Sequence, residues 1–171
     1  MTVSQQRRLR TRVAVFACIA IVGLVLDQGT KLGAQQALAD AGTVPVIPGL
    51  LSFTLVFNPG MSLGLFSSAT WAISLLAAVA CVLLAVGALK AVRLAWTVVL
   101  SVAFSGALGN LIDRVAYADG FLDGEVVDFL NYGWSVGNVA DILLVGAGIA
   151  VVVLLVLGVP FSESDCDEER R

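Results

Sequence analysis

The chain has 171 residues, of which 58% are hydrophobic, and its formal net charge is −3. A soluble domain of this size could not bury that much apolar surface, so the composition indicates a membrane protein. The small net charge provides no broad electrostatic steering, and we expect no nucleic-acid partner.

The chain contains no histidine, and its three cysteines are Cys18, Cys81 and Cys166. The lack of histidine excludes Ser-His-Asp and Cys-His catalysis. Thiols this dispersed cannot supply the ligands of a zinc site, and none is expected on the outer side, where a disulfide would form. We therefore expect no metal, no cofactor and no disulfide framework.

Four apolar runs predict four transmembrane helices, at about residues 13–26, 71–89, 94–112 and 139–159. A helix needs about 20 residues to cross the hydrocarbon core, and the first run reaches this length only with its polar end at the interface. Arginines and lysines concentrate in residues 1–12, between the second and third runs, and at the end of the chain. This distribution predicts cytoplasmic termini, with two larger loops outside.

Residues 1–12 are basic and are predicted to be a flexible cytoplasmic start. Helix one is expected to end near residues 27–31, where Asp27 and Lys31 share a face if the helix continues that far. On spacing alone, a surface ion pair with a snorkelling lysine is favoured over an Asp27 that points toward an outer pocket. A cleavable signal peptide ending at residues 37–39 is an alternative, but residues 27–36 form too long and polar a gap before that site.

The first outer loop, at about residues 43–68, differs in kind from the helices. Pro45 and Pro48 break any helix there, and residues 50–57 are rich in β-branched and aromatic side chains. This composition predicts one or two short strands, followed by a turn at Asn58-Pro59-Gly60. Residues 63–68 are predicted to form a short interfacial helix.

The second outer loop, residues 115–137, separates helices three and four. Within it, residues 125–130 predict either a short strand or the start of the approach to helix four, which begins near Asn138. On helix three, Gly106 and Gly109 lie one turn apart and permit close approach of another helix or of substrate. A charged segment, residues 161–171, is predicted to be a cytoplasmic tail.

Charged and amide side chains gather at the outer rim, and because they are costly to bury there, their presence indicates a function. They are Asp27, Asn58, Asn110, Asp113, Arg114, Asp128, Asn138 and Asp141. Without histidine, the strongest hydrolytic option is a carboxylate pair, in which one member keeps a proton as acid and the other acts as base. Spacing alone does not pair Asp128 with Asp141, and a position at a helix N-terminus also explains Asp141 structurally.

Five motifs occur in order: DQGTK at 27–31, NPG at 58–60, GALGNLIDR at 106–114, VVDF at 126–129 and NVAD at 138–141. Together they resemble the lipoprotein signal peptidase (signal peptidase II) family over nearly the whole chain. The resemblance implies an all-α polytopic membrane protein with four transmembrane helices and a small extracytoplasmic β-cradle. Residues 13–160 would form this single peptidase domain.

The resemblance also implies a function. The family is an aspartic endopeptidase of the bacterial inner membrane that removes signal peptides from diacylglyceryl-modified prolipoproteins, cutting before the lipidated cysteine. By motif match, the implied catalytic residues are Asp128 and Asp141. The residues implied to bind substrate or to position this dyad are Asn58, Gly60, Asn110, Arg114 and Asn138. The residues implied to support the site are Asp27, Lys31, Gly106, Gly109 and Asp113. The implied partners are the prolipoprotein, membrane lipid and globomycin-type peptide inhibitors.

The chain departs from the usual family pattern in two motifs and in the loop between the two aspartates, which is at the short end. Met61-Ser62-Leu63 stand where two alanines and an aromatic are usual, and Gly137 stands where phenylalanine usually precedes the asparagine. These changes preserve the polar groups of the implied mechanism and affect the expected shape of the pocket wall.

Two other functions are compatible with parts of the sequence. A non-enzymatic transporter or assembly protein would also have four helices, but transport favours ionisable groups near the membrane midplane rather than at one rim. A Ser–Lys peptidase could use Ser62 and Lys31, although nothing in their spacing requires it.

Overall fold

The computed structural model describes residues 3–60 and 69–162 of the chain. Within these residues the helices are α1 Val3–Leu38, α2 Thr70–Lys90, α3 Leu94–Ala116 and α4 Val139–Val156. The strands are β1 Val44–Ile47, β2 Leu51–Asn58, β3 Val126–Asn131 and β4 Val136–Gly137. Each helix is long and apolar enough to cross a membrane, which confirms the predicted four-helix class with a small sheet. The predicted helix at 63–68, the Met61-Ser62-Leu63 departure and nearly all of the predicted tail lie outside the described residues.

Helix α3 is the centre of the bundle, and α1, α2 and α4 all pack against it. Its contact faces contain small or polar residues, among them the buried Thr97, Ser101 and Ser105, which allow neighbouring helices to approach closely. The outward faces of the helices are apolar instead, and Leu83 and Ile149 on these faces are more than half exposed. Apolar side chains on the outer faces are what a lipid environment requires.

The N-terminal part of helix α1 begins earlier than predicted. The prediction of a flexible start over residues 1–12 is wrong from Val3 onward, because the helix begins there. Arg12 helps to hold this part of α1 in place, since its Nη2 donates a hydrogen bond of 2.6 Å to the carbonyl of Val92, in the link between α2 and α3.

The C-terminal part of α1 is also longer than predicted. An end near residues 27–31 is wrong, and the helix continues to Leu38. Its added turns bury Ala34 and Leu38 against Phe129 and Leu130 of β3, in the main apolar cluster beneath the sheet. Packing against the sheet therefore extends the helix beyond its apolar run.

The four strands form one antiparallel sheet in the order β1-β2-β3-β4. The strands predicted at 50–57 and 125–130 are confirmed as β2 and β3, and β4 was not predicted. In the hairpin of β3 and β4, Leu130 pairs with Gly137. This pairing folds the chain back, so that Asn138 and the start of α4 come beside Asp128.

Candidate active site

Asp128 and Asp141 both line one pocket of about 750 Å³, at the end of the bundle that carries the sheet. Asp128 belongs to the buried strand β3, and only 2% of its surface is exposed. Asp141 belongs to the first turn of α4. The two carboxylates belong to different elements of the chain, and the hairpin of β3 and β4 brings them together.

Asn138 connects the two carboxylates. Its Nδ2 donates to Oδ1 of Asp128 at 2.6 Å, and its backbone N–H donates to Oδ2 of Asp141 at 3.1 Å. Its Oδ1 accepts from the backbone N–H of Asp141 at 3.0 Å, which completes a capping box at the start of α4. Asparagine suits this position because its side chain can cap the helix and still donate hydrogen bonds elsewhere.

Asparagine side chains also hold the remaining carboxylate oxygens. Asn58 donates from Nδ2 to Oδ2 of Asp128 at 2.9 Å, and Asn110 donates from Nδ2 to Oδ1 of Asp141 at 2.9 Å. Asn138 further donates to Oδ1 of Asn110 at 3.1 Å, which links the two halves. Each of the four carboxylate oxygens thus accepts a hydrogen bond from an asparagine, and both groups are fixed in orientation.

The pKa of Asp128 is raised from its ordinary value of 3.8 to about 6, and burial is the largest cause. The negative charge of Asp141 also raises this pKa, whereas the hydrogen bonds from Asn58 and Asn138 lower it. A carboxyl group in this range can hold or release a proton near neutral pH, as general acid–base catalysis requires.

Behind the dyad, Lys31 is the centre of a buried ionic network. Its Nζ lies 2.9 Å from Oδ2 of Asp27, 2.8 Å from Oδ2 of Asp113 and 3.0 Å from Oδ1 of Asn110. Asp27 is fully buried and Lys31 is 2% exposed. The predicted surface ion pair with a snorkelling lysine is therefore wrong, because α1 continues past residue 31 and turns this face toward α3.

The network connects the elements that carry the dyad. Asp27 Oδ1 accepts from the backbone N–H of Ala140 in α4 at 2.8 Å. Asp113 Oδ2 accepts from the backbone N–H of Val127 in β3 at 3.1 Å. Gln28, to which the sequence assigned no role, donates to both aspartates at 3.1 and 2.9 Å. These contacts fix α1 and α3 against β3 and α4.

Gly106 and Gly109 allow this close packing. A Cβ at Gly109 would collide with the carboxylate of Asp27, and a Cβ at Gly106 would lie 2.6 Å from the carbonyl oxygen of Ala140. The sequence predicted that these glycines permit close approach of either another helix or substrate, and the structure shows close approach of helices.

Arg114 contacts backbone carbonyls rather than Asp113. Its Nη2 donates to the carbonyl of Gly60 at 2.8 Å and its Nη1 to that of Asn110 at 3.4 Å. Its Nε is buried and has no hydrogen-bond partner among the described residues. Both Arg114 and Gly60 line the pocket.

The pocket has an apolar wall and an aromatic rim. Ile142, Val145 and Ile149 of α4 form part of the wall. Tyr132 and Trp134, which sequence reasoning missed, stack with ring centroids 6.2 Å apart, and Trp134 is 76% exposed. Aromatic side chains are common at the membrane–water interface, and this preference could have identified the pair.

Comparison with known proteins gives concordant results. The profile of the signal peptidase (SPase) II family matches residues 19–157. A lipoprotein signal peptidase from Bifidobacterium longum (strain DJO10A) is 66% identical over 166 residues, which cover 97% of this chain and 91% of the relative. A lipoprotein signal peptidase from Mycobacterium tuberculosis (strain CDC 1551 / Oshkosh) is 38% identical over 156 residues, covering 91% of this chain and 75% of the relative.

The fold is also similar to a solved bacterial membrane enzyme structure obtained by the in meso method at 2.3 Å. The TM-score is 0.72 at 29% sequence identity, and the match covers 84% of this chain and 88% of the other. The family profile spans most of the chain, and the relatives match over nearly all of it. The chain therefore belongs to the signal peptidase II family of membrane peptidases.

Proposed function

We propose that this protein removes the signal peptide from diacylglyceryl-modified prolipoproteins, cutting just before the lipidated cysteine, with Asp128 and Asp141 as the catalytic dyad. The observation that carries the proposal is the link through Asn138, which holds both carboxylates in the wall of one pocket. Membership of a peptidase family agrees with a peptide substrate.

In the proposed reaction the two carboxyl groups share one proton. The ionised member takes a proton from a bound water, and the water oxygen attacks the scissile carbonyl carbon. The protonated member donates its hydrogen to the carbonyl oxygen, which gives a tetrahedral diol. The protonated carboxyl then gives its proton to the peptide nitrogen while the other carboxylate takes a proton from a diol hydroxyl. The C–N bond breaks, the carbonyl re-forms as a carboxylic acid, and the dyad again holds one proton. The titration belongs to the pair rather than to either aspartate alone.

The neighbouring polar groups would position the dyad and the substrate backbone. Asn58, Asn110 and Asn138 orient the carboxylates through the hydrogen bonds described above. Arg114 lines the pocket, and its permanently charged guanidinium suits a substrate carbonyl there. In this scheme Gly60 contributes by holding the guanidinium through its carbonyl.

The apolar wall suits a substrate that stays in the membrane. The signal helix and the acyl chains could remain in lipid beside Ile142, Val145 and Ile149 while the scissile bond enters the pocket. Because each CH₂ kept out of water is worth roughly 0.8 kcal/mol, a site at the membrane boundary avoids extracting the acyl chains. With the basic segments inside, this scheme places both termini in the cytoplasm and the pocket at the outer face of the inner membrane.

The test is cleavage of a diacylglyceryl-modified precursor by the purified full-length protein in detergent. We expect cleavage just before the modified cysteine, and inhibition by globomycin. Asp128→Asn and Asp141→Asn should each reduce the rate by at least about 10⁴-fold, because general acid–base catalysis requires both groups.

Asp40→Asn is the matched control, since Asp40 is an exposed carboxylate. It should retain the wild-type rate. Helical content and thermal unfolding would establish that the two dyad variants are folded. Full cleavage by either folded dyad variant would contradict the proposed mechanism, and wild-type protein that leaves the precursor intact would contradict the proposed substrate.

A further inference from the structure

A second cleft, of about 290 Å³, lies at the end of the helix bundle opposite the dyad. Its walls come from the first turns of α1, the last turn of α2 and the link between α2 and α3. Arg8, Arg12 and Lys90 line it together with Leu89 and Val92. None of these residues takes part in the proposed cleavage reaction.

The charged residues that line this cleft are all positive. The sequence has no aspartate or glutamate in its first 26 residues, nor between residues 41 and 112. Arg8 and Arg12 are four residues apart on α1 and therefore share a face. Lys90 approaches from the last turn of α2. Three cations that line one concave surface attract an anion of small size.

Arg12 is positioned to act as the anchor of the cleft. Its Nη2 donates to the carbonyl of Val92 at 2.6 Å, which fixes the plane of the guanidinium. Its Nε is buried and has no hydrogen-bond partner in the part of the chain that the structure describes. The residue lines the cleft, and a planar guanidinium held in one orientation is well suited to binding a phosphate oxygen.

The cleft lies at the level of the membrane boundary. Helix α2 ends at Lys90 and α3 begins at Leu94, so the link between them is where these two spans leave the hydrocarbon. Leu9, Val13 and Val86, on the same helix ends, are 37%, 46% and 44% exposed. The basic cleft is thus continuous with an apolar surface that lipid chains could cover.

We propose that this cleft binds the phosphate of an anionic phospholipid, with the acyl chains running along the exposed apolar side chains of α1 and α2. Basic pockets between transmembrane helices commonly bind anionic headgroups in this way. A free phosphate offers the same anion without the chains, and the apolar flanks favour the lipid. The site does not depend on the dyad, so it can be tested without any measurement of cleavage.

The test is a titration of the full-length protein in neutral detergent, followed by native mass spectrometry. The ligands are phosphatidylglycerol, phosphatidylcholine with the same acyl chains, and water-soluble glycerol phosphate. We expect saturable binding of one phosphatidylglycerol, at least tenfold tighter than either of the other two. The variant Arg8→Gln/Arg12→Gln should weaken this binding by about 25-fold, at about fivefold for each charge removed.

Arg7→Gln/Arg10→Gln is the matched control, because it removes the same charge from the same helix at exposed positions outside the cleft lining. It should change the affinity less than threefold. If the Arg12 substitution disturbs folding, Arg8→Gln and Lys90→Gln, at two exposed positions in the cleft, test the proposal separately, each with about a fivefold loss expected.

Three results would overturn the proposal. An equal loss of phosphatidylglycerol affinity in the cleft and control variants would indicate general attraction of the lipid to the basic end of the protein. Equal affinity for glycerol phosphate would indicate a site for a free anion. Binding of phosphatidylglycerol only after residues 163–171 are deleted would indicate that this acidic segment, rather than lipid, occupies the cleft.

Discussion

Nδ2 of Asn138 lies 2.6 Å from Oδ1 of Asp128, and the same side chain caps the helix that carries Asp141. One residue therefore contributes both to the start of α4 and to the geometry of the dyad. A shift of this cap would move Asp141 relative to Asp128, so we expect the stability of the helix terminus and the proposed cleavage activity to be coupled.

Two substitutions at Asn138 separate these roles. Asn138→Ala removes the cap and both amide donors, and we expect it to lower the free energy of unfolding by about 1–2 kcal/mol and to reduce cleavage by about 10²-fold or more. Asn138→Ser keeps an oxygen that can cap α4 but has no amide to donate to Asp128. It should recover most of the stability and little of the activity.

Thermal unfolding and the cleavage rate would be measured side by side for both variants. Asn131→Ala is the control. Asn131 is the last residue of β3, the strand that carries Asp128, and its side chain forms hydrogen bonds with Thr54 and Gly133 rather than with the dyad. It should keep nearly full activity. Equal recovery of stability and of activity by Asn138→Ser would contradict a separate orienting role for the amide.

The close contact of α3 with α4 gives a second prediction. In Gly106→Ala the new methyl group would lie 2.6 Å from a backbone oxygen of Ala140, which cannot move without displacing the start of α4. We expect a loss of about 1–3 kcal/mol in the free energy of unfolding, with reduced cleavage, because overpacking forces backbone shifts. Gly148→Ala is the matched control on α4, since no atom lies within 4 Å of its added methyl. A similar unfolding temperature for the two variants would contradict this account.

The buried ionic network gives a third prediction. Lys31→Met would leave the carboxylates of Asp27 and Asp113 buried without their cation, at a cost of about 3–5 kcal/mol. We expect a large fall in the unfolding temperature and in the yield of folded protein. Lys90→Met removes an exposed lysine and should have little effect on either. Restoration of stability in the triple variant Asp27→Asn/Lys31→Met/Asp113→Asn would support the assigned cause, whereas a stable single Lys31→Met would contradict it.

The burial of Lys31 also shows where sequence reasoning failed. The apolar run of helix one ends at Leu26, so the pattern places the polar residues that follow at the surface. The helix instead continues to Leu38, because Ala34 and Leu38 have the sheet to pack against. The residues near Leu38 do not indicate this packing partner, because it is β3, about 90 residues later in the chain.

The other predictions succeeded where the signal is local. Apolar length identifies α2, α3 and α4 to within a few residues, and β-branched and aromatic composition identifies β2 and β3. The pairing of Asp128 with Asp141 is different, because spacing alone left it open. It depends on β4, a strand of two residues that is too short to give any periodic pattern.

The raised pKa of Asp128 gives a last prediction, on stability rather than rate. The group titrates near pH 6 in the folded protein and near its ordinary value of 3.8 in the unfolded chain. Between about pH 4 and pH 6 the folded state therefore binds more protons than the unfolded state, and stability falls as the pH rises. The contribution of Asp128 to the free energy of unfolding is fully present below pH 4 and is lost as the pH rises through 6.

Asp128→Asn removes this titration, so its unfolding temperature should rise relative to wild type as the pH increases from 4 to 7. A pKa raised from 3.8 to about 6 corresponds to a relative change of roughly 3 kcal/mol in the free energy of unfolding. Thermal unfolding in a neutral detergent at four pH values would measure the difference, with Asp40→Asn as the exposed control. A wild-type-minus-variant difference that stays constant across this range would mean that Asp128 ionises at its ordinary pKa in the folded protein. In that case burial would not be what prepares Asp128 to exchange a proton near neutral pH.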